Sequence, residues 1–178
     1  GHLSGHGILH LATHGFVLDD DCRREVGQAA GRANALNLTG LALQGANDWA
    51  HGDAGGEDGI LTASEISALD LSGVDWAGLS ACETGLGALT ARGEGVFGLC
   101  RAFALAGART VIVSLWPVGD ESARDWMQAL YTARLVEGAS TARAVQAAHR
   151  TVLAERRAQG LSVHPYYWAG FTAVGDWQ

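Results

Sequence analysis

Short apolar runs alternate along this chain with longer stretches in which apolar residues recur every three or four positions. Ile8-Leu9-His10-Leu11-Ala12-Thr13 is a strand-like run closed by His14-Gly15, and Val74 to Leu79 reads as a second buried strand. Arg109 to Leu115, with the β-branched apolar centre Val111-Ile112-Val113, reads as a strand covered on both faces. Tyr166 to Val174 supplies a final strand after Pro165 ends the preceding loop. Helical spacing fills the intervals. Glu94 to Ala106 places Phe97, Cys100, Phe103 and Ala104 on one face and stops at Gly107. Asp120 can cap the next helix, which turns Trp126, Leu130 and Ala133 inward and ends at Gly138. A further helix spans Thr141 to Ala158, with Val145, Ala148 and Val152 on its buried side. Thr62 and Glu65 form a capping box ahead of a short helix, and the leucines between Ala35 and Leu43, set around Gly40, fit a short hairpin. Strands alternating with helices imply an α/β fold with a largely parallel sheet.

Composition narrows the class. The 178 residues are 48% apolar and 17% charged, which suits one globular domain with a real core. A net charge of -7 argues against a nucleic-acid surface and would suit a basic peptide. No apolar run has membrane-spanning length, and none of the residues given reads as a signal peptide, although a longer parent chain could carry either. Cys22, Cys82 and Cys100 are odd in number and widely spaced without a CxxC pair. Neither a disulfide scaffold nor a zinc ribbon is expected, and a reducing cytoplasm fits best.

Candidate chemistry gathers at two strand ends. Histidines at 2, 6, 10 and 14 would line one face of a helix as metal ligands, but Gly1, Gly5 and Gly7 break that helix and Ile8 to Thr13 is strand-like. No metal site is expected there. His10 sits within the strand and reads as a hydrogen-bonded sheet histidine, sharing a face with His14 at the exit. His14, followed by glycine, is the better reactive imidazole. Cys82 follows the second strand in Leu79-Ser80-Ala81-Cys82-Glu83-Thr84-Gly85, a polar, glycine-rich tail at the sheet end where α/β folds open onto a crevice. Cys100 lies on an apolar helix face and reads as core. Asp19-Asp20-Asp21 lacks the spacing of a calcium loop and reads as a solvated turn. A thiol and an imidazole brought together across neighbouring strand ends could form a nucleophile and its proton acceptor.

Several blocks together resemble the CHAT domain family, the caspase-like peptidase domains related to caspases and separase. They are Ile8 to Gly15, Asp58 to Ile66, Leu79 to Gly85, Gly93 to Leu99, Ser114 to Asp120 and His164 to Phe171, in the family's order across the whole chain. The resemblance implies a caspase-like α/β/α sandwich and a cysteine endopeptidase using a Cys-His dyad. It assigns His14 as general acid/base and Cys82 as nucleophile, with the backbone N–H groups of Gly15 and Cys82 as the oxyanion hole. It implies no cofactor, a protein or peptide substrate, and upstream tetratricopeptide-type repeats or a regulatory partner chain.

Substrate choice rests on Asp120 and Glu83. By similarity to separase, Asp120 would pair with an Arg or Lys at P1, and its competing role is that of a helix cap. Arg109 and Arg124 could serve cleavage after aspartate, but neither falls in a motif. The chain begins almost on the histidine strand, so residues 1–178 are expected to be the carboxyl-terminal portion of one CHAT domain, with earlier sheet strands supplied upstream or by another chain. The alternative function is a catalytically inactive caspase-like scaffold.

Overall fold

The computed structural model describes residues 7–17, 35–47, 58–80 and 94–178. Cys22, Cys82, Glu83, the aspartates 19–21, His2 and His6 lie outside them. Strands β1 (Ile8–Leu11), β5 (Trp76–Leu79) and β6 (Thr110–Ser114) are parallel neighbours, and β7 (Phe171–Gly175) closes the sheet antiparallel to β6. The sheet is thus largely parallel, with one antiparallel edge. A second, antiparallel sheet contains β2 (His14–Val17), β3 (Thr39–Ala42) and β4 (Ile60–Thr62) in that order.

Strand alternation decides which layer each residue joins. Leu9, Leu11, Ala77, Leu79, Val111 and Val113 pack into one core, together with Leu41, Ile66, Leu99 and Phe103. That core is covered by the short helix α1 (Ala63–Ser67), by α2 (Glu94–Leu105) and by β3. The intervening residues Ile8, Trp76 and Ile112 point the other way, into a second core under α3 (Asp120–Tyr131) and α4 (Thr141–Ala158). All five residues of β6 are buried, as the apolar centre Val111-Ile112-Val113 requires of a strand covered on both faces. The result is a three-layer α/β/α sandwich.

Trp126 shows how this second core is balanced. Its ring stacks on Phe171 with centroids 4.6 Å apart and lies 5.5 Å from the His149 ring, yet its buried Nε1–H has no hydrogen-bond acceptor among the described residues. Burying a large aromatic is worth roughly 3–5 kcal/mol in truncation experiments, whereas an orphaned donor costs about 1–3 kcal/mol. Packing wins, so the indole stays inside. His149 beside it donates from Nε2 to the Phe171 carbonyl at 3.1 Å, and burial lowers its pKa against the opposing effect of that bond.

Local signals in the chain map onto these elements with identifiable exceptions. The capping box is formed: Thr62 Oγ1 accepts from the Glu65 N–H at 3.2 Å, and the Glu65 carboxylate accepts from the Thr62 N–H at 2.7 Å. Gly107, at φ +105°, ends the turn after α2. Ala104, expected inward, is exposed, because Leu99, Ala102 and Phe103 carry the buried face. The expected hairpin between Ala35 and Leu43 is instead a 3-10 turn (Ala35–Asn37) leading into β3, whose partners β2 and β4 are distant in sequence. Asp120 is not the helix cap. Gly119 occupies that position in extended conformation, and Asp120 is the first helical residue. The last strand starts later than expected, since Pro165–Tyr167 form a 3-10 turn with Pro165 near its start. Helix α3 runs into a π-helical segment (Thr132–Val136) before Gly138 at φ +67°. Among the described residues, no helix is long and apolar enough to cross a membrane.

Gly40, in the middle strand of the second sheet, has no room for a side chain: a Cβ there would meet the Leu61 carbonyl oxygen at 2.6 Å and the Phe16 ring at 2.8 Å. Gly40→Ala is therefore expected to lower unfolding free energy by about 1–3 kcal/mol in denaturant titration, by forcing β3 and β4 apart. The same measurement on Gly119→Ala, where nothing lies within 4 Å, should show a change of less than about 1 kcal/mol.

Candidate active site

Strands β1 and β5 run parallel in register, Leu11 opposite Leu79, so their carboxyl ends open at the same level. The Ser80 N–H donates to the Leu11 carbonyl at 3.0 Å and extends the pairing one residue past β5. Beyond Leu11 the chain leaves this sheet. Ala12 and Thr13 make the crossing, Thr13 Oγ1 donates to the Ala42 carbonyl, and His14 begins β2 opposite Ala42. His10 and His14 therefore do not share one strand face, as the continuous run had implied; each belongs to a different sheet. His14 is exposed, and Gly15 behind it is buried opposite Leu41.

An open cleft of about 520 Å³ lies between these strand ends and the first turns of α3. His10, Thr13, His14 and Ser80 line one side, and Asp120, Arg124 and Met127 the other. Both histidines and Asp120 are thus brought to one cavity, at the end of the sheet where α/β folds place ligands. The volume is of the size that holds a ligand or a few peptide residues. Cys82 and Glu83 lie outside the described residues, two and three positions after Ser80.

Charge in the cleft is unevenly committed. Arg124 is engaged by its chain neighbour, with its guanidinium 2.9 Å from the Asp125 carboxylate in an exposed pair that contributes little stability. Asp120 makes no ion pair among the described residues. It stands in the first turn of α3 with Glu121, where the helix dipole favours negative charge. A cation entering the cleft would find Asp120 available. Arg109, the other basic candidate, is far from this end. It bridges Asp75 at 3.2 Å and Asp176 at 3.1 Å near the opposite ends of the strands. The Asp176 carboxyl is held below its usual value, first by the Gln178 backbone N–H and further by Arg109. Among the described residues, no three His, Cys, Asp or Glu side chains cluster as a metal site would require.

His10 has a partner that the strand pattern did not disclose. Its Nδ1 lies 2.5 Å from the Tyr131 hydroxyl, which reaches it from the end of α3. Gly78, opposite His10 in β5, makes that approach possible, since a Cβ there would stand 3.2 Å from the hydroxyl and 3.6 Å from Nδ1. A glycine inside a strand often marks such a close approach, so the signal was present in the sequence without naming the partner. Burial lowers the His10 pKa and raises that of Tyr131, favouring the neutral form of both.

Comparison with known proteins places this geometry in context. The family model described as the CHAT domain matches residues 2–176. Tetratricopeptide repeat protein 28 of Mus musculus is 34% identical over 117 residues, covering 66% of this chain and 4% of that protein. Its Homo sapiens counterpart matches with the same identity and coverage. The chain thus spans about 4% of the length of these relatives.

Cys100 separates a core thiol from a reactive one. It is buried on α2, and burial pushes its pKa up to about 11. At pH 8 only about one Cys100 in a thousand is then thiolate, the reactive form. Iodoacetamide at pH 8 is expected to leave Cys100 unmodified in the native protein and to label it after denaturation, as read by peptide mass spectrometry.

Proposed function

The chain belongs to the caspase-like CHAT domain family, and from that premise we propose that it is a cysteine endopeptidase in which His14 and Cys82 act as a dyad. The observation that carries the reading is the position of His14, on the cleft that Ser80 also lines. Two residues span at most about 7 Å of extended chain, so Cys82 is tethered close to that rim by covalent geometry alone. A thiol so tethered can come within reach of the imidazole across the strand ends.

In this mechanism His14 accepts the Cys82 thiol proton as Sγ bonds to the carbonyl carbon of the scissile peptide. The carbonyl oxygen becomes an oxyanion, and the backbone N–H groups of Gly15 and Cys82 are its donors. The tetrahedral species collapses, the C–N bond breaks, and His14 passes its proton to the leaving amine. A water molecule then attacks the thioester with His14 as base, releasing the carboxylic acid and restoring the thiol. Gly15 leaves the approach to the oxyanion free of a side chain.

Asp120 across the cleft sets the P1 preference. A carboxylate without an ion partner among the described residues, facing a cavity in an acidic protein, complements an arginine guanidinium or a lysine ammonium. Glu83, one residue after the nucleophile, adds negative charge on the substrate-binding side. Tetratricopeptide-type repeats upstream, or a partner chain, control access to the cleft. The mammalian relatives support that arrangement, since each is a tetratricopeptide repeat protein by name.

Hydrolysis of fluorogenic peptides with Arg, Lys, Asp or Leu at P1 tests the reading. Turnover after Arg or Lys is expected, with Cys82→Ala and His14→Ala each at least about 10³-fold slower. Asp120→Asn should lower kcat/KM for Arg substrates about 10- to 100-fold, the worth of a charge-assisted hydrogen bond, and leave Leu substrates little changed. A folded protein without turnover on any peptide would instead be the caspase-like scaffold.

A further inference from the structure

The dyad and Asp120 do not use His10, although it lines the same cleft. We propose that His10 is a substrate-positioning residue: Tyr131 holds it as the neutral tautomer with the proton on Nε2, and that N–H donates to a backbone carbonyl of the bound peptide. The inference deepens the peptidase reading and rests on it for the identity of the ligand.

Hydrogen-bond accounting fixes the direction of the Tyr131 contact. A phenol donates its proton where an acceptor is in reach, and His10 Nδ1, at 2.5 Å, is the acceptor that the described residues offer it. Were Nδ1 the donor, the phenolic hydrogen would have no acceptor among the described residues and would turn to solvent. Tyr131 therefore donates to Nδ1, and a neutral ring then carries its proton on Nε2.

Packing holds the arrangement in place. The Tyr131 ring lies between the His10 ring, 5.7 Å away, and the Trp76 ring, 6.5 Å away, while Arg134 stacks over Trp76 at 5.3 Å. Gly78 supplies the floor without a side chain. Burial on the Tyr131 side disfavours the imidazolium, so a second protonation does not remove the tautomer preference at neutral pH. With Nδ1 committed to the helix side of the sheet, Nε2 on the opposite edge of the ring is left to the cleft. A donor-only group there, beside an acidic wall formed by Asp120, suits a main-chain carbonyl of the peptide whose basic side chain Asp120 receives. It lies in the same cavity as His14 and acts on binding rather than on the thiol.

Two measurements test this. In ¹⁵N NMR of imidazole-labelled protein at pH 7.5, His10 should show the proton on Nε2, and Tyr131→Phe should convert it to a mixture of tautomers. A single Nδ1-protonated form in the parent protein overturns the proposal. Binding of acetyl-Ala-Ala-Arg-amide is then followed in a Cys82→Ala background, where no chemistry intervenes. His10→Asn, whose amide oxygen can accept from Tyr131 in place of Nδ1 but which carries no donor at the Nε2 position, should bind about three- to ten-fold more weakly. His10→Gln, which restores a donor near the Nε2 position, should recover most of the loss. Equal affinity for the Asn and Gln variants and the parent, or no binding by the parent, overturns the role. Binding that follows this pattern in a protein whose wild type hydrolyses no peptide would refute the peptidase and leave His10 as the donor.

Discussion

Leu11 and His14 are three residues apart and belong to different sheets, and the site depends on how tightly that crossing is held. On one side, Ser80 pins Leu11 through its backbone; on the other, Thr13 is tied to the Ala42 carbonyl as His14 starts β2. Only Ala12 and Thr13 are available to make the turn, so His14 has little freedom in where it emerges. The second sheet exists to receive it. Its middle strand accepts Gly40 alone at the point where Phe16 and the Leu61 backbone close in, and the capping box at Thr62 carries the same sheet into α1. Stability in this small sheet and position of the imidazole are therefore one physical matter.

The opposite wall follows from strand alternation. Because Leu9 and Leu11 turn toward one core, His10 must turn toward the other, under α3. The same helix presents Asp120 in its first turn and Tyr131 in its last, so one element sets the acidic rim of the cleft and the partner of its second histidine. The buried anchors Trp126 and Leu130, packed against β6 and β7 residues, fix that helix against the sheet. Displacing α3 would disturb both functions together.

Much of this was readable in the chain because local chemistry and burial agree there. β6 has an apolar, β-branched centre in Val111-Ile112-Val113, Thr141–Ala158 keeps its helical spacing throughout, and Thr62 with Glu65 satisfies both halves of a reciprocal cap. The membership in the CHAT family was likewise legible from the order of its motifs. What escaped was set by contacts distant in sequence. The run from Ile8 to Gly15 has no break in its apolar pattern, yet pairing with two different strands divides it at Ala12 and Thr13. β3 looked like half of a hairpin because leucines surround Gly40, while its partners lie in β2 and β4. Asp120 resembled a cap, but the extended Gly119 takes that place and leaves the carboxylate for the cleft. The Tyr131–His10 bond joins residues 121 apart, which no local pattern encodes.

The central claim is that Cys82 becomes a nucleophile at the cleft that His14 lines. The most direct measurement is covalent labelling by a peptidyl-arginine chloromethyl ketone at pH 7.5, with the site of the adduct located by peptide mass spectrometry. The account predicts one adduct on Cys82, slowed strongly by His14→Ala and competed by an arginine peptide, with Cys100 unlabelled. Labelling of Cys82 at the same rate with and without His14, or no faster than by a chloromethyl ketone lacking the peptide, would contradict it.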